Sequence, residues 1–276
     1  MSLKTIAIFV VMCISLLTEG CGSSSSSSSS SNTTVILQVV PGPWKGTYNL
    51  NGSSNIPVTG TVAAGGFGYF ADNDGNVFLV ENVPEESPFS SIAIATAPSG
   101  QTFPDGNSVD TFSVNGNYVS TATSTNMTGS LTGIDPSSYV SYIGYATTGV
   151  NGNFTLDSTV PYTGTPSIAG LQGQWNGYYT GKTSTSADIT INADGIFSGN
   201  DGYGCSISGS LVQQDPGTNT YFVNYVSSGS GCPGDMNGLA YESTIDVSGD
   251  FSGAAGTYFY MGLFGPNVAY SAEFKL

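Results

Sequence analysis

The pattern G-x-W-x-G-x-Y occurs twice in this chain. The first copy is Gly42-Pro43-Trp44-Lys45-Gly46-Thr47-Tyr48 and the second is Gly173-Gln174-Trp175-Asn176-Gly177-Tyr178-Tyr179. Trp44 and Trp175 are the only tryptophans among 276 residues. On a strand, where side chains alternate, Trp44, Gly46 and Tyr48 share one face, as do Trp175, Gly177 and Tyr179. These residues are expected to be structural, each Trp organising a core. Each copy opens a run of short alternating segments broken by Gly, Asn, Asp and Pro, and no stretch after residue 20 sustains a helical period. The expectation is an all-β chain with two tandem antiparallel domains, each a β-barrel or a β-sandwich. They occupy 36–160 and 171–276, with a linker at 161–170 where prolines and Gly164 interrupt pairing.

Ahead of them, residues 1–20 read as a signal peptide: Lys4 is the positive start, and the apolar run 6–17 is too short to span a bilayer. Residues 16–22, Leu-Leu-Thr-Glu-Gly-Cys-Gly, resemble the lipobox of bacterial lipoproteins. Thr18 stands where that family usually has Leu, with Leu17 one place earlier. The resemblance implies that Cys21 becomes the N-terminus and carries fatty acid such as palmitate. Gly22, in place of the Asp that retains such proteins in the inner membrane, implies the outer membrane. A plain secretory signal is the alternative. Nine serines follow Cys21 closely, at 23–31, and polyserine has nothing to bury. Residues 21–35 are therefore expected to form a disordered Ser-rich tether.

Strands in the first half are expected at 61–71, 77–80, 91–97, 110–114, 118–122, 127–133, 138–146 and 152–156, eight or nine in all. Asp72-Asn73-Asp74-Gly75 should turn a hairpin. In the second half Asn192-Ala193-Asp194-Gly195 does the same. The last strand reads most plainly. Val268, Tyr270, Ala272, Phe274 and Leu276 point to a core, and Ala269, Ser271, Glu273 and Lys275 to water. Residues 129–136 and 209–216 both begin Gly-Ser-Leu and end Asp-Pro. They lie 85 and 34 residues after their tryptophans, so duplication requires two or three extra strands in the first half. Similar turn chemistry arising twice is the alternative.

Charge excludes several functions. Four basic residues against 19 acidic ones give a net charge of −15, unchanged when residues 1–20 are removed with one Lys and one Glu. Nucleic acid needs Lys and Arg to displace its counterions, so no nucleic-acid partner is expected. Without histidine, no Ser-His-Asp or Cys-His machinery can form. Transition-metal sites are poor for the same reason, and the two Asp-Gly segments read as hairpins rather than Ca²⁺ loops. No metal, cofactor or catalytic residue is expected; a carboxylate-based hydrolase is a remote alternative. Cys13 lies in the leader and Cys21 takes lipid, leaving Cys205 and Cys232 as an even pair in an oxidising compartment. Their disulfide would stabilise the second domain by roughly 3 kcal/mol.

A first strand bearing G-x-W is similar to that of the calycin barrels, lipocalins and avidins, in which the Trp plugs one barrel end. The layout as a whole resembles the two-β-domain lipoproteins of proteobacteria, with lipobox, tether and a Cys pair in the second unit. The function expected of such a chain is non-catalytic binding in the cell envelope, with the protein held there by its lipid. The partners in view are the membrane through the anchor and a protein, glycan or small apolar ligand. A passive structural or adhesive surface lipoprotein is the alternative.

Overall fold

The computed structural model describes residues 41–63, 66–81, 87–97, 101–120, 125–134, 147–158, 165–180, 185–213, 218–244, 256–265 and 268–276. The leader, Cys21, the tether and the expected strand at 138–146 lie outside them, as do 161–164 of the linker and both Asp-Pro ends of the paired Gly-Ser-Leu segments. Eight strands build the first domain. They are β1 (Gly42–Leu50), β2 (Ile56–Val62), β3 (Gly68–Asp72), β4 (Val77–Glu81), β5 (Phe89–Thr96), β6 (Val109–Ser120), β7 (Thr125–Gly133) and β8 (Asn151–Ser158). Eight more build the second: β9 (Gly173–Thr180), β10 (Thr185–Ile191), β11 (Ile196–Asp201), β12 (Ser206–Gln213), β13 (Thr220–Ser228), β14 (Gly234–Ser243), β15 (Tyr258–Gly265) and β16 (Val268–Lys275). Each set is a closed antiparallel barrel in which neighbours in sequence pair in space, β8 closing on β1 and β16 on β9. Closure settles barrel over sandwich, and it removes every open sheet edge.

The repeated motif sits on both closing seams. Its first Gly has positive φ in each copy, 127° at Gly42 and 157° at Gly173, a conformation that a side chain would strain. Its second Gly lets the last strand approach. A Cβ on Gly46 would stand 1.9 Å from the Thr155 carbonyl oxygen, and one on Gly177 would stand 1.8 Å from that of Glu273. Trp44 and Trp175 are both fully buried, in separate barrel cores. In the second barrel a 3-10 turn (Ile168–Leu171) precedes β9, and Trp175 Nε1 donates to the Leu171 carbonyl at 2.8 Å.

Five expectations need correction. Among the described residues the two barrels have eight strands each, so the first barrel carries no extra strands there. β7 is the seventh strand of its barrel and β12 the fourth of its own, so the Gly-Ser-Leu segments are not counterparts. What they share is a local device: Cβ atoms on Gly129 and Gly209 would stand 2.6 and 2.3 Å from the Phe154 and Phe197 rings. Segment 110–114 and the described part of 118–122, up to Ser120, are one strand, β6, since Asn115-Gly116-Asn117 does not turn but pairs straight through. Segment 61–71 is instead two strands, with Gly66 at φ 81° between them.

The last correction concerns β16. Its supposed water face is buried, with Ala269 at 4 %, Ser271 at 3 % and Glu273 at 4 % exposure. It packs on the outside of the first barrel. Ala63, Tyr69, Ala71 and Val77 form one apolar cluster with Leu239 and Ala269, and Phe264 packs against it. Tyr69 Oη donates to the Met261 carbonyl at 3.1 Å and lies 2.9 Å from Ser271 Oγ. Thr61 and Thr220 hydroxyls meet at 3.5 Å. The barrels are therefore joined wall to wall.

Candidate functional site

The interior of the first barrel is not filled. Its inward positions include Gly46, Gly60, Gly116 and Gly129; across neighbouring strands Gly60 pairs with Trp44, Gly116 with Phe89, Gly129 with Phe154, and Gly46 with Val58 and Leu156. Phe89, Gly116, Gly129, Phe154 and Tyr48 make one such row from β5 round to β1. Cβ atoms on Gly116 and Gly129 would each stand 2.6 Å from a phenylalanine ring, so the rings lean over the glycines along the wall. Rings laid along the wall leave a cavity at the centre. About 50 Å³ of it is open to the centre of a water-sized sphere. One water needs about 10–15 Å³ on that measure, so the space suits a ring-sized molecule. Val58, Phe78, Ala93, Val114, Met127 and Leu156 are among the residues lining it.

One lining residue is polar. Tyr48 Oη donates to Asp72 Oδ2 at 2.5 Å, and its ring meets Phe78 edge-on at 4.8 Å. Asp72 is 2 % exposed and also accepts from Asn76 N at 2.8 Å and Asn76 Nδ2 at 2.7 Å. These bonds tie down the carboxylate of the first Asp-Gly hairpin, where Gly75 turns the chain at φ 85°. Burial, and then the Asp72 carboxylate, push the Tyr48 hydroxyl pKa well up. Asp72 is itself raised by burial, against the pull of Tyr48 and Asn76.

The same end of the barrel holds a second inward carboxyl. Asp110, at the start of β6 and opposite Ala95, is wholly buried. Among the described residues neither of its oxygens has a hydrogen-bond partner of ordinary geometry, although Thr147 and Asn107 lie close enough to favour its charged form. Burial, reinforced by the negative Asp105, pushes its pKa up to about 7. Asp105 is held by Asn107 N at 3.0 Å and Asn107 Nδ2 at 2.8 Å. Among the described residues, no three His, Cys, Asp or Glu side chains gather as metal ligands would.

In the second barrel several large rings meet across the interior. Tyr179, the counterpart of Tyr48, meets the Tyr225 hydroxyl, and Trp175 and Tyr221 both pack against Phe259. Cys205 and Cys232 form a disulfide from the start of β12 to the turn before β14. Sequence reading singled out Tyr48 for the motif but missed Asp72 as its partner, and gave Asp110 no role. Small inward residues occur in both halves, with Gly177, Gly209, Ala187, Ala240 and Ala272 in the second barrel as well, so they did not single out the first barrel as the one with a cavity.

No family model, curated protein or solved structure matches this chain.

Proposed function

We propose that this protein is an outer-membrane lipoprotein, anchored through Cys21, whose first barrel holds a small apolar molecule without transforming it. The observation that carries the reading is the apolar cavity among Val58, Phe78, Ala93 and Met127. A well-packed interior rarely keeps a void wider than a water, because unfilled contacts cost stability. A cavity walled by rings and aliphatic groups gains most from an apolar guest. The barrel walls support a tethered rather than a membrane-spanning role. β8 exposes Asn151, Asn153, Thr155 and Asp157 outward and buries Phe154 and Leu156 inward, the reverse of a lipid-facing wall. Nothing in the site requires a reaction.

Toluene titrated into the full chain, followed by ligand-observed NMR, tests the binding. Saturable binding is expected, and Ala93→Leu, which fills the cavity from β5, should abolish it while the fold persists. Absence of saturable binding to the wild-type chain refutes the ligand reading. Fatty-acid labelling of wild type and Cys21→Ser tests the anchor: label independent of Cys21 removes it.

A further inference from the structure

Asp110 is wholly buried, and among the described residues neither of its carboxyl oxygens has a hydrogen-bond partner of ordinary geometry. Folded proteins pair nearly all buried polar groups, and a buried charge is paired or ligates a metal. The side chains close to Asp110 are those of Asp105, Thr147 and Asn107. Asp105 and Asn107 belong to the loop from β5 to β6, which folds on itself. Phe103 N donates to the Asn107 carbonyl at 2.7 Å, and Gly106 N to the Phe103 carbonyl at 2.9 Å. Thr147 comes from the connection between β7 and β8. Its N donates to the Ile134 carbonyl at 3.0 Å, and its Oγ1 accepts from Thr111 N at 2.9 Å. Two carboxyls, an amide and a hydroxyl therefore meet, every one with an oxygen to offer. Asp105 Oδ1 and Oδ2 each accept a single bond, from Asn107 N and Nδ2, and a carboxylate oxygen can take two.

We propose that Asp110 and Asp105 bind a Ca²⁺ ion at this end of the first barrel, with Asn107 and Thr147 supplying neutral oxygen ligands. The inference is independent of the apolar ligand. The first domain has no cation of its own for this pair. Lys45 is the only basic residue in 36–160, and it is exposed on β1 opposite Asp157 of β8. Ca²⁺ takes about six to eight oxygens in adaptable geometry, neutral ones among them, so two carboxylates supply enough charge. Mg²⁺ demands a near-ideal octahedron and dehydrates reluctantly, which suits it less to side chains from separate segments. Transition metals favour imidazole and thiolate, and the chain has no histidine. Asp72, the other buried carboxylate at this end, is already held by Tyr48 and Asn76. The rival to Ca²⁺ is a proton shared between the Asp110 and Asp105 carboxyls. It satisfies one oxygen of Asp110 and leaves the other unpaired. Burial and Asp105 place the Asp110 pKa at about 7, so above that pH the proton leaves and the buried charge needs a counterion. Proton and cation compete, and in the cation-free chain the proton takes this place.

Calorimetric titration of CaCl₂ into the EDTA-stripped, dialysed full chain at pH 8 tests this. One saturable site is expected, with a dissociation constant of about 10⁻⁴–10⁻³ M, the range of extracellular Ca²⁺ modules. Asp110→Asn should weaken it roughly tenfold or more, because a charged ligand is lost at nearly constant shape. Asp188→Asn, which removes an exposed carboxylate on the second barrel, should leave it unchanged and so controls for ions gathered by net charge. A second measure needs no variant. Wild-type affinity should fall about tenfold from pH 8 to pH 6, since a carboxyl with a pKa of about 7 must first release its proton. Absence of saturable binding to wild type overturns the proposal. So does equal affinity in wild type and Asp110→Asn, or an affinity that does not change between pH 8 and pH 6.

Discussion

The Tyr69 ring of the first barrel occupies the space that a side chain on Gly262 would fill. A Cβ there would stand 2.0 Å from Tyr69 Cδ2, so only a glycine admits the ring. From that seat the Tyr69 hydroxyl reaches Met261 and Ser271 on two strands of the second barrel. A glycine in the middle of β15, which weakens a strand taken alone, is here the condition for joining two barrels.

Gly262→Ala should therefore uncouple the barrels. The methyl would expel the ring and open the cluster of Ala71, Val77, Leu239 and Ala269, at a cost of about 1–3 kcal/mol, typical of overpacking. Wild type should unfold in one calorimetric transition and the variant in two. Combining it with Tyr69→Ala should recover part of the lost stability, because the clash then has no ring. A single unchanged transition in Gly262→Ala would contradict the interface.

The disulfide should act on the second barrel alone. Cys205 and Cys232 are 27 residues apart, and closing a loop of that length is worth about 3–4 kcal/mol through the unfolded chain. Urea unfolding of Cys205→Ala/Cys232→Ala, or of wild type under reductant, should show that loss. Apolar ligand binding in the first barrel should survive both treatments.

What the sequence disclosed, and what it hid, follows from the range of the forces involved. The motif, the alternation in β10 and β13, and the Asp-Gly hairpins are local, and they announce strands directly. Two faces of one strand look alike in letters when a partner surface is polar enough to be mistaken for water. Ser271 and Glu273 are such a case, buried because Tyr69 and its neighbours arrive from about two hundred residues away. Asn115-Gly116-Asn117 has the composition of a turn, yet Gly116 serves a ring on β5 and the strand runs on. The cavity was hidden for the same reason. It is a deficit of volume summed over eight strands, and no single segment carries it.

The Tyr48–Asp72 bond can be tested by deletion of one partner. Tyr48→Phe leaves the Asp72 carboxylate buried with its Asn76 contacts only. Loss of a bond to a buried charged group should destabilise the first barrel by about 1.5–3 kcal/mol. Asp72→Asn with Tyr48→Phe should cost less than Tyr48→Phe alone, since the charge is then gone. Chemical denaturation of the four chains of this cycle measures the coupling.

Asp110 should make stability fall as pH rises. Its pKa is about 7 in the folded barrel, against 3.8 as the ordinary value, because burial and the nearby Asp105 disfavour the charged form. Between those values the folded chain holds a proton that the unfolded chain releases. The contribution is therefore complete below about pH 4 and disappears as pH passes through about 7. Three pKa units correspond to about 4 kcal/mol, so the change is large beside the net stability of a domain. Asp110→Asn removes the titration while nearly keeping the shape. The stability of the variant relative to wild type should rise by several kcal/mol from pH 4 to pH 8, with most of the rise between pH 5 and 7. Thermal unfolding of both chains across that range decides it. Parallel curves would mean that Asp110 ionises in the folded barrel as readily as in water, through contacts that its burial does not reveal.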